Sequence, residues 1–185
     1  MKNRAAWFLF ASVSLLPALG MARPATPPAP VAAEPTLPPL TDSDSTFAGN
    51  VSALNGFEIT ISKMAITQAK RRKVHDLAEN LLKTHTANQK ALSALTLKHG
   101  LELHEEMSSD EQQIAEHLQT ESGSKFERDF LDLQAQASSD ALAMFQNEAE
   151  SASDPELKAY AAATADTLQT HLTDTMKLGA NKPSR

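Results

Sequence analysis

Beyond residue 45, apolar side chains recur every three or four positions in four long stretches, and each stretch predicts a helix with one buried face. The first runs from about Asp44 to Lys70 and aligns Phe47, Val51, Leu54, Ile61 and Ala65. The second runs from about Arg72 to His99, aligns Val74, Leu77, Leu81, Asn88, Leu92 and Leu95, and meets Gly100, a residue suited to ending a helix. The third opens on Ser124 and Glu127, spaced as a capping box, and aligns Phe126, Phe130, Leu133, Ala141 and Phe145. The fourth has Asp154 at the capping position and Pro155 in its first turn, aligns Leu157, Ala161, Ala165 and Leu168, and stops at Gly179. Between the second and third, a short helix is expected from the capping box Ser108 to Glu111, with Ile114, Ala115 and Leu118 turned inward. Four such faces bury one another in an all-α four-helix bundle, with the short helix lying in the crossover.

Polar residues interrupt these stripes at Glu58, His85, Ser138 and His171. Glu58 and His85 lie about equally far from the turn near Lys70 to Lys73, so a rise of about 1.5 Å per residue places them at one height. Ser138 and His171 flank the turn at Ser153 in the same way, to within one helical turn. A carboxylate, two imidazoles and a hydroxyl on one level suit an iron, manganese or zinc ion held between facing helices. The same residues also suit a buried layer in which each polar group satisfies another, with Glu58 paired to an imidazole. Leu82 and Leu168 stand three residues before the two histidines, so the Glu-x-x-His signature of a di-iron bundle is absent.

The N-terminus changes the picture of where this bundle works. Lys2 and Arg4 precede an apolar run from Ala5 to Leu16, then Pro17 and small residues, which reads as a secretory signal over 1–22 with cleavage after Gly20 or Ala22. Residues 23–45 hold seven of the ten prolines and read as an extended tether. The expected organisation is therefore signal 1–22, tether 23–45, bundle 46–179 and tail 180–185, exported to the periplasm or outer envelope. No segment reaches the roughly 18 apolar residues of a membrane span. With no cysteine, the chain has neither disulfides nor thiolate ligands. The 17 basic residues less Lys2 and Arg4 leave 15 against 23 acidic, a net charge of −8, which argues against nucleic acid as a partner. An envelope partner or a second copy of the chain fits better. The acidic, histidine-containing stretch from His99 to Glu111 reads as a solvated loop, and Lys70 to Lys73 as a basic helix junction. No nucleophile elbow, phosphate loop or HExxH motif is present, so a role as an enzyme is not expected.

Several segments, in order, carry a resemblance: Phe57-Glu58-Ile59, Thr84-His85, SGSKFERDF at 122–130, Met144-Phe145, DPELKAYA at 154–161 and LQTHL around His171. Together they resemble an uncharacterised family of exported ferritin-like bundles, labelled as outer membrane proteins or as a domain of unknown function, over about Phe47 to Leu178. The resemblance implies a ferritin-like bundle. The family's Asp-His of the second helix is Thr84-His85 here, and its second Asp-His falls on Ala137-Ser138. Its tyrosine is Phe130, and the proline before its last histidine is Asp166. Glu58, His85 and His171 are thus retained as metal ligands, while Ser138 marks a lost fourth ligand. The expected function is an exported, non-catalytic binding bundle, associated with the envelope or with stress, whose internal polar site is degenerate. The alternative is a metal protein, redox-active or not, that uses Glu58, His85 and His171.

Overall fold

The computed structural model describes residues 36–184; the signal assigned to 1–22 and the tether up to residue 35 lie outside the described residues. Five helices and no strand occur among them: α1 Asp42–Gln68, α2 Arg72–Leu97, α3 Ser109–Thr120, α4 Gly123–Ser151 and α5 Pro155–Lys177. The chain is all-α, as the periodicity predicts. α1 packs antiparallel to α2 and α4 to α5, while α3 carries the chain back along the bundle so that α1 meets α4 and α2 meets α5.

The core has two apolar blocks. One joins Phe57 and Ile61 of α1, Leu77 and Leu81 of α2, Leu118 of α3, and Phe126 and Phe130 of α4. The other joins Phe47 and Val51, Leu92 and Leu95, Phe145, and Leu157, Ala161 and Leu168. Phe126 and Phe130 stack at 6.1 Å, and Phe145 meets Phe47 edge-on at 5.1 Å. A layer of buried polar side chains, from Ser52, Asn55, Glu58, His85, Gln89, Gln134, Ser138 and His171, lies along the helices between these blocks.

The helix ends show which sequence signals act locally. Thr41 caps α1, the Ser108–Glu111 box caps α3, and Asp154 caps α5 ahead of Pro155. Gly179 takes φ +101°, as the stop of α5 requires. The expected box at Ser124 and Glu127 does not form: Ser122 stands at the cap of α4 without a side-chain bond. Glu127 instead turns to the α1–α2 junction, where its carboxylate accepts from the Lys70 and Arg71 backbone N–H groups at 2.6 and 2.7 Å and from Arg71 Nε at 2.7 Å. Burial pushes that carboxyl up, but the bonds from Arg71 and Lys70 outweigh it and hold the pKa below 4.5. α2 has no side-chain cap of its own, so this reach across the bundle supplies one. At the far end Asp44, near the start of α1, accepts from the Ser153 and Asp154 N–H groups at the α4–α5 turn.

Several placements differ from the stripes, Asn55 being buried where Leu54 was expected. Ile114 is 39% exposed, and only Ala115 and Leu118 of α3 are buried. Gln89 is buried in α2 where Asn88 was expected, and Gln134 in α4 where Leu133 was expected. Each shift is one residue, about 100° around a helix, and in both cases a long amide enters a layer that can satisfy it. The helical start at Asp42, and the bonds from Thr36 and Leu37 N–H to the Lys98 carbonyl, place described structure inside the stretch read as tether.

Candidate functional site

The polar layer begins at a backbone carbonyl. The crossover after α2 runs against α1, and Gly56 permits this: a Cβ there would stand 2.5 Å from the Glu105 carbonyl oxygen. One residue earlier, the His104 carbonyl accepts from Ser52 Oγ at 3.0 Å. A carbonyl can only accept, so Ser52 donates its proton there and accepts from Gln89 Nε2 at 2.8 Å. That orientation of the Gln89 amide turns its Oε1 to Asn55 Nδ2, at 3.0 Å. Asn55 Oδ1 then faces His85 Nδ1 at 3.0 Å, so His85 donates from Nδ1 and keeps its lone pair on Nε2. A loop carbonyl thereby fixes the tautomer of a buried histidine four groups away.

The ring that His85 faces is His171 of α5. Their centroids are 5.6 Å apart, and the two residues are 4% and 3% exposed. Burial pushes the His85 pKa down to about 3, with the neighbouring His171 adding to the effect, and burial also lowers His171. Both imidazoles are neutral at physiological pH. His171 Nδ1 is buried with no hydrogen-bond partner. A cleft of about 200 Å³ between α2 and α5 reaches the pair past Thr84, Asn88, Thr164 and Thr167.

Glu58 lies on α1 three residues beyond Asn55, which turns it toward α4 instead of α2. Its Oε2 accepts from Gln134 Nε2 at 2.5 Å, and it makes no hydrogen bond or ion pair with either imidazole. Burial raises its pKa from 4.5 to about 7, against the lowering by Gln134. Gln134 Oε1, on the same amide, is buried and unpartnered. Ser138 is buried on α4 and makes no bond to Glu58, His85 or His171. The four sequence candidates thus all enter the layer, but the structure brings only His85 and His171 together as rings. Among the described residues the one trio of His, Asp and Glu whose donor atoms all lie within 4.8 Å is His75, Asp76 and Glu79 on the surface of α2.

Sequence reasoning missed Ser52, Asn55, Gln89 and Gln134. Their signal was available, since amides at helical spacing beside Glu58 and His85 are the natural partners of buried polar groups. The acidic loop reads differently as well. His99 is buried, bonds Pro38 O through Nδ1 at 2.6 Å, and sets Nε2 3.4 Å from Asp154 Oδ2, pinning the N-terminal segment to the start of α5.

A family model described as a domain of unknown function, DUF4142, matches residues 27–178. The chain belongs to the DUF4142 family. No curated protein matches it. In fold, this DUF4142 chain is similar to a DUF305 fragment from Deinococcus radiodurans, with a TM-score of 0.68 at 17% identity over 76% of this chain and 97% of that one. It is similar to a DUF305 protein from Streptomyces coelicolor, described as secreted, at 0.65 and 16% identity over 77% and 98%. It is also similar to CopM in its Cu(I)-bound form, at 0.63 and 15% identity over 73% and 94%. At these identities the likeness concerns the fold alone. Among the described residues no helix is long and apolar enough to cross a membrane.

Proposed function

We propose that this chain is an exported, ferritin-like four-helix bundle that binds a metal ion between His85 and His171 and does no catalysis. The observation that carries this reading is the pair itself: two neutral, buried imidazoles facing each other at 5.6 Å, one with its tautomer set by Asn55. Metal-binding histidines commonly have the non-ligating ring nitrogen held in this way, which leaves the other lone pair aimed at the ion. The unpartnered Nδ1 of His171 adds a nitrogen that an ion would satisfy. CopM, a neighbour in fold, is a protein seen with Cu(I) and Cu(II). Glu58 is the third candidate ligand. To bind, it would have to lose its proton and leave Gln134, so His85 and His171 are the primary pair. Ser138 stands where the family resemblance places a fourth ligand and offers only a neutral hydroxyl. The leader read in residues 1–22 directs the bundle to the periplasm or outer envelope, where a second copy or an envelope component would be its partner.

A second reading has its own support. The chain from the His104 carbonyl through Ser52, Gln89 and Asn55 is fully satisfied within the protein, as a purely structural layer in a non-catalytic envelope bundle would be. Elemental analysis of untagged protein purified without chelator separates the two. The metal reading expects close to one bound ion per chain in the native protein and none in His85→Ala or His171→Ala. A metal-free native protein that also takes up no added ion supports the structural layer and overturns the site.

A further inference from the structure

We propose that the His85–His171 pair selects a monovalent, soft d10 cation, with Cu(I) as the ion and Ag(I) as its redox-inert stand-in, over divalent metals. This deepens the metal reading above and rests on it.

The donor set decides the charge that the site can hold. Both rings are buried, and the cleft beside them is lined by threonines, Asn88, Ala87 and Leu168, with no carboxylate, thiolate or cation. Asp174, one turn beyond His171, favours the charged ring, but it is only half-buried, lies outside the cleft lining and is already paired with Lys177 at 2.9 Å. An ion bound by two neutral imidazoles keeps its whole charge in the layer. The cost of burying an ion rises with the square of that charge, so a divalent ion without an anionic ligand pays about four times the monovalent cost.

Coordination number points the same way. Zinc in proteins takes four ligands, or three and a water. Manganese and magnesium prefer carboxylate and other oxygen donors. Glu58 is the one buried acid nearby in the layer, and it is held by Gln134 on the α4 side. Imidazole suits copper as well as zinc, and a monovalent ion held by two neutral donors buries half the charge of a divalent one and lacks zinc's need for a fourth ligand. A crowded pair with one tautomer fixed and one nitrogen unpartnered offers few ligands and no charge, which suits such an ion.

The test uses the full untagged chain, stripped of metal, with Ag(I), Zn(II) and Mn(II) added separately and melting followed by circular dichroism. At about 100 times its Kd, Ag(I) is expected to raise Tm by roughly 5–10 °C. Zn(II) and Mn(II) at the same concentration are expected to change it by less than about 1 °C. Ring-¹⁵N NMR of the native protein should show Ag(I) moving the His85 and His171 nitrogens, which keeps the test valid if His85→Ala or His171→Ala fails to fold. Where those variants fold, the Ag(I) shift should vanish. Zn(II) or Mn(II) stabilising as strongly as Ag(I) through the same two rings would overturn the selection and leave the metal site standing. Ag(I) acting with both rings unmoved, or no ion acting at all, would overturn the selection together with the site.

Discussion

Glu58→Gln tests the electrostatics of the layer directly. Glu58 is fully buried, and its pKa rises from 4.5 in the unfolded chain to about 7 in the fold. The folded state therefore binds a proton more readily, and native stability is lost as pH climbs from about 4.5 through about 7. At 1.36 kcal/mol per pH unit, the ionised carboxylate costs about 3 kcal/mol above pH 7. The amide removes that titration at nearly constant volume. It also completes a reciprocal pair, because Gln134 Nε2 still donates while the orphaned Gln134 Oε1 gains a donor. Urea unfolding of the metal-free proteins, at steps from pH 4.5 to 8.5, measures the difference between variant and native chain. That difference should be near zero at pH 4.5 and reach about 3 kcal/mol in favour of the variant by pH 8. A difference that does not change with pH would show that Glu58 titrates alike in the folded and unfolded chain, and the shift would be refuted. A variant less stable than the native chain at pH 8 would show that the ionised carboxylate stabilises the fold, and the reasoning would be wrong.

Four further outcomes are expected. Both imidazoles are held below 6.5, so native stability should also fall as pH drops below about 6.5, and His85→Gln should flatten that limb in the same unfolding series. Asn55→Ala strands the His85 N–H and the Gln89 carbonyl at a cost of roughly 1–3 kcal/mol, and ring-¹⁵N NMR should then find the His85 tautomer mixed. Phe130→Ala, at a fully buried ring stacked on Phe126, should cost about 3–5 kcal/mol by chemical denaturation; a cost under about 1 kcal/mol would place that face outside the core. Deleting residues 36–42 should lower Tm by several degrees, because it removes the bonds to Lys98 and His99 and the Thr41 cap; an unchanged Tm would mean those bonds stabilise nothing.

The helices were legible because their signals are local. Apolar spacing located the four long helices and a capping box the short one, and caps with their partner three residues away, at Ser108 and Asp154, formed as written. What escaped depends on contacts distant in sequence. Glu127 had the spacing of a capping partner, yet three donors at the α1–α2 junction hold a carboxylate better than one N–H at its own helix end. Counting from the turn suggests one height for Glu58 and His85, and Asn55, one turn before Glu58, bonds both His85 and Gln89 across the same pair of helices. Height does not fix direction, however, and three residues around α1 send Asn55 toward α2 and Glu58 toward α4. The partners of the site had only an indirect signal: amides at helical spacing beside Glu58 and His85 are natural partners of buried polar groups, but which of them turns inward is set by the neighbouring helix.

Glu127 and Asp44 make a symmetrical exchange: each sits near the start of one hairpin and closes the turn of the other. A chain cut within the crossover would give two halves, each with the acid its counterpart requires and without the one it needs itself. Helical hairpins of this length gain most of their stability from packing, and here even their turns are finished only by association. The pair of exchanged acids ties the two halves into one cooperative unit. Assembly of either hairpin on its own, whether during synthesis or after local opening, leaves a junction whose N–H groups bond water until the other hairpin brings its acid.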